Sequence, residues 1–221
     1  IMQIEKAMKK NMTEQEYFKM VGDKTASLIS ASSTSLSSKY LSIINCESLK
    51  AKAERELEAA TSVPVTTTAQ APATVANFLR YVDADHYNGG QFHRTVTMNN
   101  QPNNDVKIEV IQASVNPARS DDGFGPIALE RTTVTGLRHV DGTISMARGG
   151  PDSATSSFFF CIGDQPSLDF GGNRNADGQG FAAFGRVVTG SDVLRQVQGQ
   201  PAEAQRLNPP VPITSIKRVD R

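Results

Sequence analysis

Three segments in the second half of the chain hold the residues best suited to act on another molecule. They are Phe92-His93-Arg94, then Ser145-Met146-Ala147-Arg148-Gly149-Gly150-Pro151 running on to Ser156-Ser157-Phe158-Phe159-Phe160, and last Phe181-Ala182-Ala183-Phe184-Gly185-Arg186-Val187-Val188. Each sets one cation or a small polar group beside apolar and aromatic residues. Such a site can hold a neutral, apolar peptide group against one fixed charge. It is not equipment for bond cleavage by a nucleophile and a base.

Other motifs carry less. Asn173-Arg174-Asn175-Ala176-Asp177-Gly178 imitates the opening of a calcium loop, but Phe184 stands where the closing bidentate glutamate belongs. The reading is a metal-free surface loop from Asp169 to Gly180. Gly123-Phe124-Gly125 has no Walker lysine, and Pro126 removes an N–H that a phosphate would need. Three scattered histidines give no metal-ligand spacing, and Asn11-Met12-Thr13 is a chance match to a glycosylation sequon.

The elements that must position these residues begin with composition. Lysine plus arginine and aspartate plus glutamate are 23 each in 221 residues, so the net charge is zero. That argues against nucleic acid or an acidic membrane surface as partner. No run approaches the roughly 18 apolar residues of a membrane span, and no basic-then-apolar leader opens the chain. The expectation is a soluble protein whose compartment stays open. Of two cysteines, Cys161 follows three phenylalanines and reads as a buried strand thiol.

Residues 1–30 read as helix, 30–38 as a Ser/Thr linker, and Glu47–Ala60 as a helix with Leu49, Ala53 and Leu57 on one side. Lys39–Cys46 reads as a short strand or a helical turn, and Val63-Pro64-Val65 as an edge strand. Val75, Phe78, Leu79 and Val82 fall at i, i+3, i+4 and i+7, an amphipathic helix. Strand-like runs follow at Gln91–Val96, Val106–Gln112, Thr143–Met146, Ser157–Ile162, Ala182–Val187 and Ile213–Val219, with a second helix over Asp192–Gln198. Many short strands and two helices predict a mainly β, closed barrel. The predicted organisation is a helical appendage and linker over 1–38 joined from elsewhere, a helix and weak strand over 39–70, and the functional domain over 71–221.

From about Ala71 onward the chain resembles the cyclophilins, peptidyl-prolyl cis-trans isomerases, in a divergent bacterial-like branch. The likeness rests on Phe92-His93-Arg94, Val110-Ile111-Gln112-Ala113-Ser114, Ser145-Met146-Ala147 with Gly150-Pro151, Ser157-Phe158-Phe159, and Phe184-Gly185-Arg186-Val187, in that order. It implies an eight-stranded antiparallel barrel capped by two helices, and a monomer that accelerates rotation of X-Pro bonds in peptides and unfolded or exposed-loop clients, without a cofactor or metal. Arg94 matches the catalytic arginine and Gln112 the glutamine that holds it. Val110, Phe159 and Leu168 match the proline socket, Ala147 a backbone partner of substrate, and Arg148 and Phe181 further substrate-binding positions. Phe158 and Phe160, alternating with Phe159, read as core.

The chain departs from the pattern at Glu109 (for phenylalanine), Arg148 (asparagine), Ser157 (glutamine), Ser167 (tryptophan) and Phe181 (histidine). These changes weigh against cyclosporin-type ligands and leave a rival reading, a non-catalytic proline-peptide-binding module. Residues 1–30 are similar to a segment of trans-isoprenyl diphosphate synthases, with Met2-Gln3 and Lys24-Thr25 at diphosphate-binding positions. Both magnesium motifs of that family are absent, which excludes synthase activity.

Overall fold

The computed structural model describes residues 41–45 and 62–219. The expected helices over 1–30 and 47–60, the 30–38 linker, and Met2, Gln3, Lys24 and Thr25 lie outside the described residues. The strands are β1 (Leu41–Asn45), β2 (Ser62–Thr67), β3 (Gly90–Val96), β4 (Val110–Ser114), β5 (Thr143–Met146), β6 (Phe158–Cys161), β7 (Ala182–Val187), β8 (Ala202–Glu203), β9 (Arg206–Ile213) and β10 (Ile216–Val219). Helices α1 (Pro72–Asp83), α2 (Thr132–Thr135) and α3 (Ser191–Gln198) complete the described elements, with two short 3-10 turns.

The strands form one antiparallel sheet in the order β10-β1-β2-β7-β5-β6-β4-β3-β9-β8. It has ten strands rather than the expected eight, and it starts upstream of residue 71, because β1 and β2 are part of it. Segment Lys39–Cys46 supplies a strand. β2 is not an edge strand: it pairs with β1 on one side and β7 on the other. Pro64 is tolerated because it lies beyond the last β2–β7 pair, Val65 with Val187, where only its carbonyl is used, by Val188 N at 2.8 Å.

The run expected over Ile213–Val219 is two elements, divided at Thr214-Ser215. β9 reaches back to Arg206 through Pro209, Pro210 and Pro212. It can carry these prolines because its outer neighbour β8 covers only Arg206 and Leu207, so most of that side requires no N–H.

Period-two alternation divides the apolar residues between two faces. Phe92, Ile111, Ile144, Phe158, Phe160 and Phe184 join one core with Val75, Phe78 and Leu79 of α1 and Val193, Leu194 and Val197 of α3. Phe78 is its hub, 5.4 Å edge-on to Phe158 and 5.1 Å from Phe184. A second, smaller cluster on the opposite face holds Val96, Ile108, Val110, Phe159, Cys161 and Leu168. The candidate site is built on that face.

Helix α1 begins without a side-chain cap of its own, since Ala71 precedes it. Its open N–H groups are met from afar by the Glu130 carboxylate, which accepts from Ala73 N (3.1 Å), Thr74 N (2.7 Å) and Thr74 Oγ1 (2.6 Å). An anion at a helix N-terminus also meets the favourable end of the dipole. Glu130→Ala is expected to lower unfolding free energy by about 1–2 kcal/mol. An unchanged urea midpoint would show that Glu130 does not cap the helix.

Candidate active site

Strand β3 would normally send Phe92 and Arg94 to the same face. Phe92 is wholly buried in the core and pairs with Ala113, yet the next matched pair is Arg94 with Gln112. His93 is the extra residue of a bulge, so the alternation restarts and Arg94 emerges on the opposite face. From there one row of directly paired residues crosses the sheet: Arg94 with Gln112, Gln112 with Phe159, Phe159 with Ser145. The excursion between β3 and β4 does not disturb this pairing. Buried Gln101 pins it, donating to Thr97 O and Ile108 O, each at 2.7 Å.

The guanidinium is gripped from both sides. Nη1 donates to Gln112 Oε1 at 3.0 Å, while Nε and Nη2 both donate to Gln205 Oε1, at 3.0 and 2.6 Å. Gln205 is itself fixed through Nε2 to Asn100 O at 3.1 Å, and Asn100 donates to Thr95 O and Ala204 O. Three of the five N–H donors of an arginine are thus occupied and two remain. Burial lowers the pKa of Arg94 from the ordinary arginine value, which is so high that the group stays cationic.

Beside this cation lies the apolar cluster. Val110, Phe159 and Leu168 are buried together, and Ala147 and Phe181 pack at its margin. Phe181 stands edge-on to Phe159 at 5.4 Å. Leu168 is delivered by the 3-10 turn Pro166–Leu168. Cys161 is the buried thiol expected; desolvation first, then the charges of Asp169, Asp141 and Asp164, push its pKa up.

Underneath, His139 stacks on Phe159 at 6.0 Å and 14°. Its Nδ1 lies 2.8 Å from Asp169 Oδ1 and its Nε2 3.0 Å from Ser145 Oγ. Burial alone would raise the Asp169 carboxyl. Hydrogen bonds from the His139 ring, the His139 backbone and Arg138, with the charge of His139, outweigh it and hold the carboxyl below its usual range. The trio has the connectivity of a hydrolytic triad, but His139 is 1% exposed and Ser145 0%, so no acyl group can reach the serine. It is a rigid backing for the Phe159 ring.

Comparison with known proteins shows the family. The family model described as cyclophilin type peptidyl-prolyl cis-trans isomerase/CLD matches residues 65–218. The chain belongs to this family. It is 32% identical over 157 residues to peptidyl-prolyl cis-trans isomerase cyp18 of Streptomyces antibioticus, covering 67% of this chain and 83% of that one. It is 36% identical over 148 residues to peptidyl-prolyl cis-trans isomerase A of Dickeya dadantii, covering 65% and 70%. A solved cyclophilin of Cryptosporidium parvum superposes with a TM-score of 0.61 at 17% identity, covering 83% of this chain and 99% of that one. The cyclophilin match begins within β2, again upstream of residue 71.

Several departures from the cyclophilin pattern have structural explanations. Arg148 is not free to meet a ligand by charge: Nε donates to Gly180 O at 2.7 Å, and Nη1 and Nη2 hold Asp177 at 2.7 and 2.9 Å. Its side chain is 1% exposed, and its guanidinium lies 5.0 Å from the Phe181 ring centroid. It sets Phe181 and the Asp169–Gly180 loop in place. Hydrogen bonds from Arg148 and the Gln179 backbone hold the Asp177 carboxyl at about 2. Asp177, an oxygen donor of the calcium-like pattern, is therefore engaged by arginine. Glu109 turns to α3, accepting from Gln198 Nε2 at 3.3 Å.

Gln205 went unnoticed in the sequence, because it precedes a proline-rich stretch that gives no strand signal. Only the pairing of β9 with β3 brings it to Arg94. Gln205→Ala is expected to lower isomerase kcat about 10-fold with little change in stability, since it frees two arginine donors to wander. A kcat equal to the parent's would remove Gln205 from the site.

Proposed function

We propose that Arg94, oriented by Gln112 and Gln205, catalyses cis-trans isomerisation of X-Pro bonds whose proline ring sits against Val110, Phe159 and Leu168. The barrier to rotation is amide resonance, about 18–20 kcal/mol, and uncatalysed exchange takes tens to hundreds of seconds. No proton moves and no bond breaks. The socket holds the ring while the preceding carbonyl rotates. As resonance is lost, the prolyl nitrogen regains a lone pair, and a preorganised cation beside it binds that twisted state better than either planar one. The observation carrying this reading is the doubly gripped guanidinium with two donors unspent at the edge of an apolar socket.

Ala147 fits a backbone partner of substrate: its N–H is taken by Ser157 O at 2.8 Å, leaving its carbonyl for a peptide N–H. Phe181, steadied by Arg148, walls the socket. We infer further that the sheet rolls into a closed barrel. Strands β9 and β10, near its two ends, are joined by only Thr214-Ser215, and Ile216 N donates to Asn88 Oδ1 at 3.2 Å, next to the start of β3. Among the described residues no helix is long and apolar enough to cross a membrane. The clients fitting this site are exposed X-Pro segments, met by a single copy of the chain. A protease-coupled or NMR exchange assay on a short Ala-Pro peptide tests the reading. Binding without acceleration would leave a proline-peptide-binding module instead.

A further inference from the structure

The row of paired residues through Arg94 continues one strand outward. Across β3 and β9, Arg94 stands directly opposite Arg206. Two like charges facing each other in a ladder are destabilising. Arg206 is exposed, and among the described residues its guanidinium makes no hydrogen bond or ion pair to relieve them. Its neighbour on the other side, Glu203, directs its carboxylate to Asn208 Nδ2 at 2.8 Å. Between the two arginines opens a groove of ≈ 480 Å³ lined by Gln91, His93, Arg94, Gln205, Arg206 and Pro210. Among the described residues no acidic one lines it. A third guanidinium, Arg174, lies close enough for the Arg94 charge to add to burial in lowering its pKa. Neither Arg94 nor Arg206 is held by an ion pair, Glu203 standing on the outer side of Arg206 and bonded to Asn208, whereas Arg148 and Arg138 are matched by Asp177 and Asp169.

We propose that this groove is a second subsite, which receives a carboxylate side chain of the substrate a few residues from the target proline. The inference rests on the isomerase reading for the placement of proline. Arg94 borders both the socket and the groove, so a peptide crossing it lays its flanking residues there. A carboxylate between the arginines would meet guanidinium forks and the amides of Gln91 and Gln205 as donors. His93 adds little charge: burial, with a smaller contribution from Arg94, lowers its pKa against an opposing hydrogen bond to the Gln91 backbone.

The test uses a set of fluorescent Ala-Pro peptides with Glu, Gln or Lys placed in turn at each position flanking the dipeptide. The parent protein is expected to show, at one of these positions, kcat/KM about 5-fold higher for Glu than for Gln, with Lys lowest. The difference should shrink when salt is raised from about 0.02 M to about 0.5 M. Arg206→Gln should bring the Glu-to-Gln ratio near one, while Arg206→Lys should keep most of it. Equal handling of Glu and Gln at every position by the parent overturns the proposal, as does a ratio that survives in folded Arg206→Gln protein. Anisotropy titrations of the same peptides separate the two readings. If no peptide is isomerised, the catalytic reading falls, and the ratio of affinities for Glu and Gln peptides still decides this one.

Discussion

Arg94→Ala is expected to fold as the parent does and to isomerise peptide roughly 10²–10³-fold more slowly, the cost of losing a preorganised donor aimed at developing charge. The fold should survive because Arg94 faces away from the main core, and removing it also relieves its opposition to Arg206. Arg94→Lys should recover little. An ammonium restores charge but cannot engage Gln112 and Gln205 with one planar fork while presenting two further donors. Gln112→Ala should cost less than Arg94→Ala, because it acts through the arginine and Gln205 keeps a grip. The decisive measurement pairs circular dichroism with the isomerisation assay. A folded Arg94→Ala protein as fast as the parent would sink the mechanism.

The second large effect separates adjacent phenylalanines. Phe158→Ala should lower unfolding free energy by about 3–5 kcal/mol, because the ring is fully buried and its removal opens a cavity. Its neighbours Phe78, Tyr87 and Phe160 lie within 5.8 Å, ring to ring. Against a typical total of about 5–15 kcal/mol, that leaves the variant near unfolding. Phe159→Ala should instead raise KM, by removing the ring held between His139 and Phe181, and should disturb stability less because its cluster is smaller. Denaturant titration and steady-state kinetics on both variants check the contrast. Equal destabilisation with equal KM would mean that the two faces are not functionally distinct.

Where periodicity was strong, sequence and structure agree closely. Thr143–Met146 and Ala182–Val187 are strands with the expected ends, and the two amphipathic helices bury the expected faces. Of the candidate site residues, Arg94, Gln112, Val110 and Phe159 stand together because strand alternation and the ladder place them there, and Leu168 reaches them on a 3-10 turn. β9 was obscured by its prolines, which mark a strand as unlikely unless one side is left uncovered. Pairing on both sides of β2 was equally invisible, since a short strand with proline reads as an edge. Gln205, His139, Asp169 and Ser145 act through contacts between distant segments, and no local spacing announces those. Arg148 read as a substrate-binding position, and nothing local announced its partner Asp177, 29 residues away in sequence.

The His93 bulge makes this enzyme sensitive to counting as well as to chemistry. A strand carries a parity, and every residue along it inherits a face from the one before. The bulge changes that parity once, between a residue committed to the interior and the arginine proposed to act on the substrate. Substituting position 93 leaves the parity intact. Removing it would leave an unbroken ladder with Arg94 still opposite Gln112, whereas one further residue inserted beside it would turn Arg94 toward the aromatic interior. The segment is therefore guarded against gain more strictly than against change of kind, so a single-codon insertion there would do what few point substitutions could.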